Sequence, residues 1–188
     1  MSEATPAPHR HPTSGLLGWA NRIWHEYEAG DDQAGDDRPL LGYLVLMGTY
    51  GSLCAATVAA VARKARRDGA LEPLRLRDLA VTAVAVFRMS RTLAKDAVLS
   101  PLRAPFVVFE KPGGPDELIE APRPGPVRHA VGELVVCPFC LGQWVATAAV
   151  AGHLLMPRTT RWVTGGMAAV AVSDALQLVY DKGQQKAT

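Results

Sequence analysis

Leu40-Leu41-Gly42-Tyr43-Leu44-Val45-Leu46-Met47-Gly48-Thr49-Tyr50-Gly51-Ser52-Leu53-Cys54-Ala55-Ala56-Thr57-Val58-Ala59-Ala60-Val61-Ala62 carries no charged residue. A bilayer core needs about 20 consecutive, mostly apolar residues in a helix, and this run supplies them. A soluble helix would keep one polar face, and here there is none. Two further stretches have the same character. Leu134 to Pro157 contains His153 as its one ionisable group besides cysteine, and Trp162 to Tyr180 is interrupted only by Asp174. The sequence therefore reads as an integral membrane protein.

A fourth segment, Leu76 to Leu99, is apolar in its first half and continues through Arg88, Arg91 and Lys95. Those three lie at i, i+3 and i+7, on one helical face. Either the helix spans with its basic face turned into the bundle, or it lies along the interface with its long side chains snorkelling to water. The all-round apolar first half favours spanning. The expected fold class is all-α: a small polytopic helix bundle of four transmembrane helices, at about 40–62, 76–99, 134–157 and 162–180. Residues 1–39 form a polar arm, 40–182 the membrane domain and 183–188 a tail.

Lysine and arginine asymmetry orients such a bundle. Arg63, Lys64, Arg66, Arg67, Arg75 and Arg77 crowd one short connection, and Arg158 and Arg161 lie in another. Four crossings put both on one side, read as cytoplasmic. The N-terminus and central loop are then outside. The formal net charge of +2 says less than this distribution. Topology accounts for the basic run, so no nucleic-acid partner is expected; membrane lipid is.

The opening residues, rich in Pro, His and Thr, lack the pattern of a secretory signal and suggest disorder. Leu16, Trp19, Ile23, Trp24 and Tyr27 then recur at helical spacing, as in an amphipathic helix at a membrane interface; packing against the protein's own outer loop is the competing reading. Asp31, Asp32, Asp36 and Asp37 read as a solvated linker, without the ligand spacing of a calcium loop. The central loop holds Pro101, Pro105, Pro112-Gly113-Gly114-Pro115, Pro122, Pro124, Gly125 and Pro126, a composition incompatible with a continuous helix. Its length makes it functional or flexible.

Several spaced strings resemble one family: Arg91-Thr92-Leu93-Ala94-Lys95-Asp96, Ser100-Pro101-Leu102-Arg103-Ala104-Pro105-Phe106, Gly132-Glu133-Leu134, Cys137-Pro138-Phe139-Cys140-Leu141-Gly142-Gln143-Trp144, and Asp174-Ala175-Leu176-Gln177-Leu178-Val179-Tyr180-Asp181. Together they are similar to the bacterial membrane family catalogued as domain of unknown function 1360. The likeness covers about residues 74–182 and, more loosely, the first span. Gln143 departs from the small or apolar residue expected there. The resemblance implies a small multi-spanning bacterial protein, with a sporulation-associated member among its relatives, and no established reaction.

Cys137 and Cys140 admit four readings. The tetrapeptide resembles that of glutaredoxins, but those place it at a strand-to-helix turn of a βαβ fold, and no strand pattern surrounds it here. A membrane thiol oxidoreductase passing electrons to a quinone would need a second pair, and only Cys54 remains. Two thiolates at this spacing make half a zinc site, which His129 and Glu133 or a second subunit could complete. The fourth reading is structural: reduced, metal-free thiols at a helix start, packed beside Trp144 and Phe139, with no cofactor. Residues three apart in a regular helix make an unstrained disulfide only just feasible.

Asp174, an acid within a span, calls for a partner. Arg88 and Arg91 are the candidates. A structural ion pair is the simpler reading; a proton or ion path is the functional one. Trp19, Trp24, Trp144 and Trp162 are candidate interfacial anchors. Small residues, Gly48, Gly51, Ala55, Ala56 and Ala59 on the first span and Gly165, Gly166, Ala168, Ala169, Ala171 and Ser173 on the last, permit close helix approach. The leading expectation is a non-enzymatic scaffold or accessory subunit that forms a homo-oligomer or binds a membrane protein. The alternative is a thiol-redox or metal-binding membrane protein. A transporter or channel is weaker, for want of internal repeats and further spans.

Overall fold

The computed structural model describes residues 16–29, 39–69, 72–114 and 117–187. The opening residues and the aspartates at 31, 32, 36 and 37 lie outside them. The chain divides into two compact units, Met1–Leu40 and Leu41–Thr188. In the first, helix α1 (Leu16–Ala29) is described. Trp19, Ile23 and Tyr27 are exposed on it, and Trp24 is half-buried.

The second unit is built on α2 (Leu40–Asp68), α3 (Leu76–Lys95), α6 (Pro138–Leu155) and α7 (Pro157–Ala187). Three helices, Leu40–Asp68, Pro138–Leu155 and Pro157–Gln185, are long and apolar enough to cross a membrane. α2 and α7 run past their sequence-predicted limits, whereas α6 falls short of its own at both ends. α2 continues through Arg63–Arg67, good helix formers, and α7 absorbs the expected tail as far as Ala187. α3 packs against both α6 and α7, which also touch each other. Five charged residues among twenty, Arg77, Asp78, Arg88, Arg91 and Lys95, keep α3 out of the set of three.

Burial is inverted relative to a water-soluble protein, where apolar side chains fill the interior. The buried residues include Asp78, Thr82, Ser90, Arg103, Glu120, His153 and Thr164; the buried apolar ones are Ala85, Ala94, Val107, Ala130 and Val145. On α3, Asp78, Thr82, Ala85, Ser90 and Ala94 are buried, while Leu76, Leu79, Val84 and Phe87 point out. α2 buries only Gly42. A Cβ there would fall 2.1 Å from the carbonyl oxygen of Pro126, so glycine permits α2 to seat against the following cap.

The all-α expectation needs one correction. The central loop contains an antiparallel hairpin, β1 (Val107–Pro112) and β2 (Leu118–Pro122). Val107, Val108 and Phe109 face Pro122, Ala121 and Glu120 across the ladder, and a bulge follows Phe109. Prolines 112 and 122 stand at strand ends, where a missing N–H is tolerated. Proline and glycine content excluded a long helix, but it masked these short β-branched and aromatic runs. A 3₁₀ turn (Ala97–Leu99) and α4 (Ser100–Arg103) lead into the hairpin, and α5 (Pro126–Val136) leaves it. Gly132 of α5 lies so close to the hairpin that a Cβ would meet Phe106 O at 2.7 Å.

The predicted helix over 134–157 is also corrected. It is two helices, α5 and α6, interrupted at Cys137. Pro138 supplies the reason: proline disfavours helical backbone in the residue before it.

Candidate functional site

Cys137 has extended backbone, φ −101° and ψ 106°, and caps α6, with Pro138 in the first turn. The amide N–H of Cys140 donates to Cys137 Sγ at 3.3 Å. Both thiols are free; Cys137 is half-buried and Cys140 exposed. The pair is thus not held by two residues of a regular helix. One cysteine precedes the helix and its sulfur folds over the first turn, so the strain expected of a helical disulfide does not apply here. Phe139 does not cover the thiols: it is 91% exposed. Trp144 is engaged edge-on with Tyr50, ring centres 5.1 Å apart.

His129 and Glu133 lie one turn apart on α5, His129 Nε2 3.6 Å from Glu133 Oε1. The Tyr43 hydroxyl of α2 donates to Glu133 Oε2 at 2.5 Å. Among the described residues, no three His, Cys, Asp or Glu side chains gather as a metal site. Zinc at Cys137 and Cys140 would therefore need ligands from a second chain.

The charges of α3 sort differently from their helical face. Arg88 Nε lies 2.7 Å from Asp174 Oδ2, and Arg88 Nη1 3.5 Å from Asp96 Oδ1. The first is a charge contact, its N–H not aligned on the oxygen. Arg91, the other candidate partner for Asp174, instead pairs with Glu117 beside the hairpin. Sequence reasoning missed the most buried pair. Arg103 Nε donates to Glu120 Oε2 at 2.6 Å, with its other nitrogens donating to Leu93 O at 3.0 Å and Asp96 O at 3.1 Å. Arg123 adds bonds to Ala104 O and Val107 O at 3.1 and 2.8 Å. These lock the hairpin to the end of α3. The available signal was Glu120 among apolar residues, inward at an alternating strand position.

A second polar set lies at the opposite end of α3. Arg161 donates to Asp78 Oδ2 at 3.3 Å and Glu72 Oε1 at 3.0 Å. Thr82 Oγ1 and His153 Nε2 are 2.8 Å apart and buried. Tyr50 joins α2 to α6: its hydroxyl accepts from Gln143 at 2.9 Å and lies 2.6 Å from Thr147 Oγ1. The departure at Gln143 thus has a structural role. Trp162, at the start of α7, is 80% exposed and Trp19 57%. Gly165 and Gly166 have open space where a side chain would be, so close packing at those two within the chain is not the reason for them.

Polar residues inside, three helices long and apolar enough to cross a membrane, and a locked hairpin define a small, mostly helical type of protein. The chain belongs to the DUF1360 family, described as a protein of unknown function, whose family model matches residues 81–180. That stretch runs from α3 to α7 and includes the cap, the cysteine turn and Asp174. The chain is also similar to the sporulation protein YjcA of Bacillus subtilis (strain 168), 26% identical over 111 residues, which cover 57% of this chain and 94% of the relative. No solved structure matches.

Proposed function

We propose that the protein is an integral component of the bacterial cytoplasmic membrane, crossing it with α2, α3, α6 and α7, and that it serves as a scaffold or accessory subunit. The observation that carries this reading is the inversion along α3: Asp78, Thr82 and Ser90 inward, Leu79, Val84 and Phe87 outward. Lipid is the solvent that favours this arrangement, because a polar group facing hydrocarbon has no partner and an apolar one loses nothing. Twenty residues of α3 extend about 30 Å, the thickness of the hydrocarbon core.

The basic connections, with Arg66 and Arg67 exposed, then belong in the cytoplasm, and the hairpin belongs outside. At the hairpin end Arg91, Arg103 and Arg123 are engaged by acids or carbonyls. Exposed Trp19 and Tyr27 suit α1 to the membrane interface. The accessory role is supported by α2, whose Gly48 and Gly51 have open space beside them. A face of small residues suits close approach by another helix, from a second copy or another membrane protein.

The test is labelling of single cysteines in intact cells, in a background lacking Cys54, Cys137 and Cys140. Gly114→Cys should react with an impermeant maleimide, and Arg66→Cys only after permeabilisation. Reversed reactivity would refute the orientation. Equal reactivity would remove α3 as a crossing.

A further inference from the structure

We propose that Cys137 and Cys140 are a redox-active pair that exchanges a disulfide with the cysteines of a partner protein at the hairpin end of the molecule. This goes beyond the accessory role. Only its compartment, the outer face, rests on the orientation above; the couple itself does not.

Three observations carry it. Cys137 precedes α6 in extended conformation, so its sulfur is not confined to the helix surface. That sulfur accepts a hydrogen bond from the amide of Cys140, at 3.3 Å; the residue touching the first thiol therefore bears the second. An N–H donor at a helix N-terminus stabilises a thiolate over a thiol, which makes Cys137 the nucleophile. The turn is also open. Cys140 is exposed and Phe139 projects from it, so another chain has access, which a buried structural pair would not allow. His129 and Glu133 are turned to each other, and Glu133 to Tyr43; Lys95 acts electrostatically on Cys137 and Glu133 on Cys140.

In the exchange, the Cys137 thiolate attacks one sulfur of a partner disulfide. A mixed disulfide forms, and the other partner sulfur leaves as thiolate and takes up a proton. Cys140 then gives up its proton, and its thiolate attacks the Cys137 sulfur. The Cys137–Cys140 bond forms, the mixed bond breaks, and the second partner sulfur leaves and is protonated. Two electrons pass from the pair to the partner; of the two protons the partner takes up, Cys140 gives one and water returns the one that Cys137 released on ionising. The reverse sequence oxidises a partner dithiol, and the relative potentials set the direction.

Glutathione serves as the probe. The full chain with Cys54→Ala, in lipid nanodiscs, is equilibrated with mixtures of reduced and oxidised glutathione, acid-quenched, alkylated and weighed intact. Expected is loss of both alkylation sites together, in one two-electron transition. Cys140→Ser should accumulate a glutathione adduct at Cys137, and Cys137→Ser about tenfold less, since the thiolate is the reactive form. Two thiols still alkylated in excess oxidised glutathione would overturn the proposal, as would equal adducts on the two variants. The first arm needs no cysteine-pair variant, and either failure leaves the labelling pattern that tests topology unaffected.

Discussion

Arg103 and Glu120 are 17 positions apart, and both side chains are nearly inaccessible, 3% and 4% exposed. Glu120→Gln would strand the arginine charge, at a cost of about 3–5 kcal/mol for a broken buried pair. Glu120→Met with Arg103→Met should recover part of that. Recovery stays incomplete because Leu93 O and Asp96 O lose their donors as well. The Arg88–Asp174 pair is less covered, 23% and 42% exposed, but on a membrane-crossing α7 that exposure meets lipid, so Asp174→Asn should cost more than the roughly 1 kcal/mol of a water-exposed pair, and less than Glu120→Gln, because Asp96 remains beside Arg88. Denaturation in mixed micelles gives both values, and a larger loss at Asp174 than at Glu120 would contradict this ranking. The sequence drew attention to Asp174 because an acid stands out in an apolar run. Arg103 and Glu120 did not stand out, because a charged residue in a polar loop looks solvated until strand register turns it inward.

Among the elements, α3 has the most ambiguous sequence and the most decisive structure. Its charges argued for an interfacial helix as well as for a span, whereas its packing against α6 and α7 separates an inward polar face from an outward apolar one. Val84, mid-helix and outward, tests this face. Val84→Lys should raise the apparent free energy of insertion of the segment by about 2.5–3.5 kcal/mol, the cost of a charge at a helix centre in lipid. A glycosylation-based insertion assay measures it, and no change would mean that this face meets water. The break at Cys137 was also legible in part. The two thiols read as lying at a helix start, yet the apolar run on both sides suggested continuity. Apolar composition does not register a change of backbone direction; the restriction that proline places on its neighbour does.

At the scale of the whole molecule, the exposed surface includes Leu41, Leu44, Met47, Leu53 and Val58 on α2 and Leu176, Leu178 and Val179 on α7. So large an apolar surface is characteristic of an interaction site or a membrane-facing exterior. The chain should therefore remain in the membrane pellet through an alkaline carbonate wash and leave it only with detergent; release by carbonate would indicate peripheral attachment. The sequence by itself determined that three long apolar helices exist and where the basic connections lie, because these depend on composition and on neighbours within a few residues. Only the tertiary structure decided the hairpin pairing, the assignment of Arg91 to Glu117 rather than to Asp174, the buried Arg103–Glu120 lock and the Thr82–His153 contact. Those depend on which residues, distant along the chain, meet when the helices pack, and no local pattern encodes that meeting.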